Sequence, residues 1–184
     1  MSFLKNIKTY ITRNHLNLFL FLSLSIIVTL ISSCKKDKAG KDIDTELFDM
    51  AKETSGFVWY KNSDTLLPIS AGSGHSAYPF LRTRYNSIAA TQLESNGKIK
   101  VTADFPEGSV IVKELYSTET NLSRYAVLYK KAENVYADDN GWVWGYINSD
   151  GSVASSATGK GGSCISCHSQ SGNIDYMLMN SYFP

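Results

Sequence analysis

The sequence predicts a mainly β domain of the α+β class: an antiparallel sheet or barrel-like domain with one short N-terminal helix and a C-terminal Cys-x-x-Cys-His segment. Three observations carry this. Between residues 57 and 148, short runs rich in aromatic and β-branched residues alternate with clusters of turn formers. One stretch ahead of them, 44–54, has its apolar residues at helical spacing. The connections are short and no βαβ alternation is visible, which favours antiparallel neighbours over a parallel sheet.

The first 33 residues are expected to lie outside this domain. Lys5, Lys8 and Arg13 form a basic head, followed by an apolar run over 16–31 broken only by Asn17, Ser23, Ser25 and Thr29. That run is shorter than the roughly 20 apolar residues a spanning helix needs, and its layout is that of a secretory signal. Ile31-Ser32-Ser33-Cys34 resembles the lipobox of bacterial lipoproteins, where the cysteine is acylated and becomes the first mature residue. An uncleaved anchor is the competing reading. Both place the protein on a membrane, on the periplasmic or cell-surface side, with the outer membrane as the expected site.

Cleavage before Cys34 leaves 151 residues, enough for one domain with its own core. The removed segment holds three bases and no acid, so 15 Lys plus Arg face 17 Asp plus Glu, a net charge of about −2. That balance argues against nucleic acid as a partner and against a polybasic membrane patch. The polar stretch 34–43 reads as a flexible tether, leaving 44–184 as the folded domain.

Within the domain, Leu47, Phe48, Met50 and Ala51 lie on one side of the expected helix 44–54, which Asp44 or Thr45 would cap and Gly56 would end. Strands are expected at 57–61, 78–86, 99–103, 109–117, 124–131 and 142–148, separated by turn clusters such as Pro106-Glu107-Gly108 and Ser149-Asp150-Gly151. The Gly-, Ser- and Ala-rich stretch 151–163 reads as a long loop, and 173–179 as a short closing helix.

Cys164-Ile165-Ser166-Cys167-His168 has the spacing of c-type haem attachment. Two thiols on one helical turn reach the two vinyl groups of one porphyrin, and the adjacent histidine becomes the axial ligand of the iron. The expected cofactor is therefore one covalently bound haem c, held by Cys164 and Cys167, with His168 on the iron. The cysteine count then closes, because Cys34 takes the lipid. Three other readings stand beside this one. A structural zinc site needs four ligands, and only His75 remains outside the motif and the signal. A thioredoxin-like redox pair expects a βαβ unit. A plain Cys164–Cys167 disulfide would leave the histidine without a role.

From about residue 57 to 178 the chain resembles the cytochrome P-460 family, small mostly-β haem proteins with Cys-x-x-Cys-His near the C-terminus. The resemblance is carried by Leu81-Arg82-Thr83-Arg84-Tyr85-Asn86, by Phe105-Pro106-Glu107-Gly108-Ser109-Val110-Ile111-Val112-Lys113-Glu114, by Trp142 and Trp144, and by the haem motif with Asp175-Tyr176 after it. The family has two kinds of member. In cytochrome P-460 proper, a lysine cross-links to the porphyrin and a five-coordinate iron oxidises hydroxylamine. In the related cytochrome c-prime-beta, the cross-link is missing and nitric oxide is bound.

The resemblance implies that Lys113 is the cross-linking lysine, that Arg82 is the pocket arginine, and that Tyr78 or Phe80 forms an aromatic pocket wall. Strand alternation puts Lys113 on a face with Ile111 and Leu115. Taken alone, that pattern favours a lysine snorkelling to water from an edge strand. Arg82 shares a face with Phe80 and Arg84, which is equally the pattern of a solvated charged face. The family's pocket carboxylate should come from the strand around 124–131, which contains no acid; Glu133 lies just beyond it. Met177 and Met179 follow the motif too closely to reach the opposite side of a haem. Met50 and His75 are far enough away, although His75, between Gly74 and Ser76, reads as a surface residue. An iron with a vacant or weakly bound distal position is expected.

These implications make the chain an oxidoreductase acting on a small nitrogen compound, hydroxylamine or nitric oxide, with Lys113 and Arg82 as catalytic residues. The alternatives are a non-catalytic nitric-oxide binder and an electron-transfer cytochrome. The expected partners are the small nitrogen-containing molecule, an electron-transfer protein and, through the lipid, a membrane; a homodimer is a further candidate.

Overall fold

The structure is a computed structural model that describes residues 42–184. The expected signal 1–33, the lipidation site Cys34 and nearly all of the tether lie outside the described residues. Ile43, assigned above to the tether, is the first residue of helix α1 (Ile43–Lys52) and is buried. Among the described residues, no helix is long and apolar enough to cross a membrane.

After α1 come β1 (Val58–Trp59), a 3₁₀ turn, β2 (Leu67–Pro68), β3 (Phe80–Tyr85) and α2 (Ser87–Ala90). The long hairpin follows, β4 (Val110–Thr118) with β5 (Asn121–Lys130), then β6 (Trp142–Asn148) and β7 (Val153–Ser155). A second 3₁₀ turn (Ala157–Gly159), α3 (Gly162–His168) and α4 (Met179–Tyr182) complete the chain. The strands form one antiparallel sheet in the order β1-β3-β4-β5-β6-β7, with β2 also paired to β3. The mainly β antiparallel class is as expected, but the sheet stays open rather than closing into a barrel.

Alternation along the strands divides the sheet into two faces. One carries Val110, Val112, Val127, Val143 and Ile147 and packs against Ile43, Leu47 and Ala51 of α1. These helix residues recur every fourth position and so make one stripe. Gly145 of β6 lets α1 approach: a Cβ there would stand 2.7 Å from Leu47 Cδ1. Burying Leu47 completely stabilises the packing by about 1.5–3 kcal/mol. The other face carries Leu81, Tyr85, Ile111, Leu115, Leu128, Trp142 and Trp144, and is covered by the C-terminal segment.

Four local expectations are corrected. Residues 99–103 make a single bridge, Ile99 to Leu93, and then turn; no strand lies alongside, and Val101 is 84% exposed. Within 151–163, β7 pairs with β6 and the 3₁₀ turn is anchored, so the loop is partly ordered structure. The anchor is Asp44, which does not cap α1: its carboxylate is buried and accepts from the Ser156 hydroxyl (2.6 Å) and the Ala157 N–H (2.7 Å). The closing helix begins at Met179 rather than 173, because Asp175 and Tyr176 adopt left-handed φ of 45° and 68° that interrupt a right-handed helix.

Candidate functional site

The site begins where the chain turns under Trp144. Gly161, at φ 78°, opens α3, and a Cβ there would lie 2.8 Å from Trp144 Cδ1. The helix then places Cys164 and Cys167 three residues apart, one turn on a common side, with His168 as its last residue. The two thiols are free, Cys164 half-buried and Cys167 exposed; burial pushes the Cys164 pKa up.

His168 is held from two directions. Its Nδ1 lies 2.7 Å from the Tyr176 carbonyl oxygen. A carbonyl only accepts, so Nδ1 carries the proton and Nε2 is left bare, the form that binds a metal. The ring also meets Trp144 edge to face, with centroids 5.1 Å apart at 84°. Trp144 is fixed in turn by donating its Nε1–H to Asp138 (2.8 Å). Asp175 secures the segment that carries the Tyr176 carbonyl: it accepts from the Trp142 indole N–H (2.9 Å) and the Phe105 backbone N–H (3.0 Å).

Beside this helix lies a cavity of two adjoining lobes, about 220 Å³ and 230 Å³. His75, Lys113, Cys167 and His168 line both; Cys164, Trp144 and Tyr146 line the first. Among the described residues, no carboxylate lines either lobe. Lys113 faces the cavity from the centre of β4, opposite Thr83 on β3 and Ala126 on β5. Its amine has no hydrogen bond or ion pair among the described residues, and burial lowers its pKa to about 8. Burial likewise lowers His168 to about 4 and His75 to about 3, with the Lys113 charge adding to both effects. Both imidazoles are therefore neutral near pH 7.

His75 is the residue that sequence reading placed on the surface. The Gly-Ser loop around it is largely exposed, but His75 turns inward at φ 67°, and its Nδ1 sits 3.1 Å from the Tyr146 hydroxyl. Arg82 goes the other way. The register sets Thr83 opposite Lys113 and Arg82 opposite Glu114, so Arg82 lies on the α1 side of the sheet and does not reach the cavity. There its Nε donates to Glu114 (2.6 Å) and its guanidinium covers Trp59 at 4.5 Å. Phe80 follows Arg82 in the alternation and also misses the cavity. Tyr78 packs beside the cavity-side core without lining the lobes. Met50 sits with the α1-side cluster, away from the cavity; Met177 and Met179 form part of its wall.

A haem fits the groups present. Two unbridged thiols one helical turn apart, a bare imidazole nitrogen and apolar walls from Ile111, Leu128 and Trp144 all face one space. Gly159 and Gly162 border it with nothing within 4 Å of where a Cβ would stand. Among the described residues, no group of three or more His, Cys, Asp or Glu could instead hold a metal ion.

The family model for Cytochrome P460 matches residues 81–179, more than half of the chain and a span that takes in Lys113, Trp144 and all of α3. No curated protein matches the chain. With the family model covering β4 to β7, most of the cavity wall and the thiol-bearing helix together, the chain belongs to the cytochrome P460 family and is a haem protein of that family.

Proposed function

We propose that this is an exported c-type haem lipoprotein, an oxidoreductase that takes a small nitrogen compound, hydroxylamine or nitric oxide, into the cavity beside Lys113. In this reading Cys164 and Cys167 hold the haem as thioethers, His168 Nε2 ligates the iron, and Cys34 carries the lipid that keeps the domain at a membrane outside the cytoplasm. A bound haem would supply redox chemistry at its iron, with electrons exchanged with an electron-transfer protein. His168 stays correctly oriented because Tyr176 and Trp144 hold its ring. Ile111, Leu128 and Trp144 exclude water, which favours a small molecule of low charge.

The observation that carries this reading is the unpaired amine of Lys113 facing the same space as both thiols and His168. An isolated buried ammonium costs several kcal/mol. Burial lowers the pKa of the free amine only to about 8, so near pH 7 it is still mostly charged, and a bond to the porphyrin would remove that cost. A second reading, a nitric-oxide binder without turnover, is favoured because no carboxylate among the described residues lines the cavity to take up protons. Turnover of hydroxylamine with an added electron acceptor separates the two. Sustained turnover that falls in Lys113→Leu supports the oxidoreductase. Nitric oxide uptake without turnover assigns the binder, and a haem that takes up neither compound refutes both.

A further inference from the structure

His75 lies outside the span of the family match and within the site. It lines both lobes of the cavity with Lys113 and His168, and it is delivered there by a loop whose neighbouring residues mostly face solvent. A side chain with φ 67° occupies a sparsely populated backbone region, which persists only where the surroundings hold it. Two contacts do so: the Tyr78 N–H donates to the His75 carbonyl (2.9 Å), and the Tyr146 hydroxyl meets Nδ1 at 3.1 Å.

Tyr146 and Trp144 stand two residues apart on one face of β6, about 6.6 Å along the strand. His75 packs on the first, tilted by 37° with ring centroids 5.5 Å apart, and His168 meets the second edge to face. One strand thus supports two imidazoles side by side over one cavity. His168 has its role through Nε2. His75 has its Nδ1 engaged and its Nε2 without a protein partner among the described residues. Two other polar groups of the wall are already used: the Thr83 hydroxyl meets Met179 Sδ at 3.4 Å, and the Ser156 hydroxyl donates to Asp44.

We propose that His75 is the recognition residue of the cavity, its Nε2 hydrogen-bonding the small nitrogen-containing ligand held beside Lys113. The inference rests on the proposed function and adds to it the group that binds the ligand. Burial keeps the ring neutral, so it offers one N–H and one bare nitrogen. Because a hydroxyl both donates and accepts, Tyr146 can meet Nδ1 in either tautomer. Nε2 then donates to the ligand when Tyr146 donates to Nδ1, and accepts when Nδ1 donates to Tyr146. This gives the cavity a hydrogen-bonding group where, among the described residues, its wall contains no carboxylate.

The test is an optical titration of the oxidised holoprotein with azide, a small nitrogen ligand that accepts hydrogen bonds. Haem content and the resting spectrum serve as controls for folding. His75→Leu is expected to weaken azide binding about 10- to 100-fold, the loss of one hydrogen bond to a charged group. His75→Gln, which keeps an amide donor, should recover most of that loss, and Tyr146→Phe should give an intermediate loss by freeing Nδ1. Azide affinity within about twofold of wild type in His75→Leu overturns the inference while leaving the proposed function intact. A low-spin, six-coordinate resting wild type that becomes high-spin in His75→Leu also overturns it, because His75 would then sit on the iron. A wild-type haem that binds no azide refutes both the inference and the reading beneath it.

Discussion

Lys113 and Glu114 are neighbours on β4, both charged in water and both withdrawn from it, and the two faces of the sheet treat them in opposite ways. On the α1 side the charge of Glu114 is matched. Arg82, Arg84 and the Tyr116 hydroxyl all donate to it, and Arg84 also donates to the Ala51 carbonyl at the end of α1. That carbonyl is one of those a helix leaves open at its C-terminus, so the arginine joins helix to sheet. On the other side Lys113 has no partner among the described residues and looks into a cavity with two neutral imidazoles and two thiols. A buried charge with its partners present is architecture, whereas a buried amine without them marks the place where a ligand or a covalent bond is needed.

The largest effect is expected where the matched face is broken. Glu114→Ala leaves two arginines, one of them fully buried, without their anion, and should cost about 3–5 kcal/mol in urea unfolding followed by tryptophan fluorescence. A cost below about 1 kcal/mol would show that the cluster is not a unit. Gly145→Ala drives a methyl into Leu47 and should cost about 1–3 kcal/mol by the same measurement, with a compensating recovery in the double variant with Leu47→Val.

Arg82 is partly exposed and gives one of several hydrogen bonds to Glu114, so Arg82→Ala should cost about 1 kcal/mol or less. Its haem spectrum should match wild type, since the residue faces away from the cavity. A changed spectrum would place Arg82 back in the pocket.

The change expected at Lys113 has the opposite sign, a gain in stability rather than a loss. The unfolded chain holds that proton up to the ordinary lysine pKa of 10.5, and the folded protein releases it near 8. Between those values the unfolded state binds more protons, so stability rises with pH through this window and is flat below it. Lys113→Leu should abolish the rise and unfold at or slightly above the wild-type urea concentration near pH 7. A wild type that already lacks the rise contains a lysine that is not free, as a porphyrin bond would make it.

Much of the two-faced sheet was legible because alternation is local. The period of two puts Lys113 with Ile111 and Leu115, and turns such as Pro106-Glu107-Gly108 mark the ends of strands. Arg82 was misplaced for the reason that alternation is only local. Its sharing a face with Phe80 and Arg84 is correct, but which face that is relative to Lys113 depends on the β3–β4 register, a relation between strands 30 residues apart in sequence.

Asp44 was misread similarly: a helix-start acid looks like a cap until a distant Ser156 claims it. His75 was hidden by composition, since Gly74 and Ser76 are what an exposed turn contains. The aromatic at Tyr146 that draws it inward lies 71 residues away. The apolar–polar alternation of 99–103 looks like a strand, but among the described residues no strand lies beside it to pair with. The site's thiol and histidine spacing was legible in full, because one helical turn sets it.

The central claim is that the face carrying Lys113 is the haem face, and proteolytic mass spectrometry of the purified protein tests it most directly. The account predicts that the peptide holding Cys164, Cys167 and His168 carries the mass of one haem that survives acidified organic solvent, and that Cys164→Ala with Cys167→Ala removes it. If the lysine is bonded to the porphyrin, the peptide containing Lys113 travels with that same haem. A peptide spanning residues 164–168 with two unmodified thiols in a protein that nevertheless retains its haem would contradict the account.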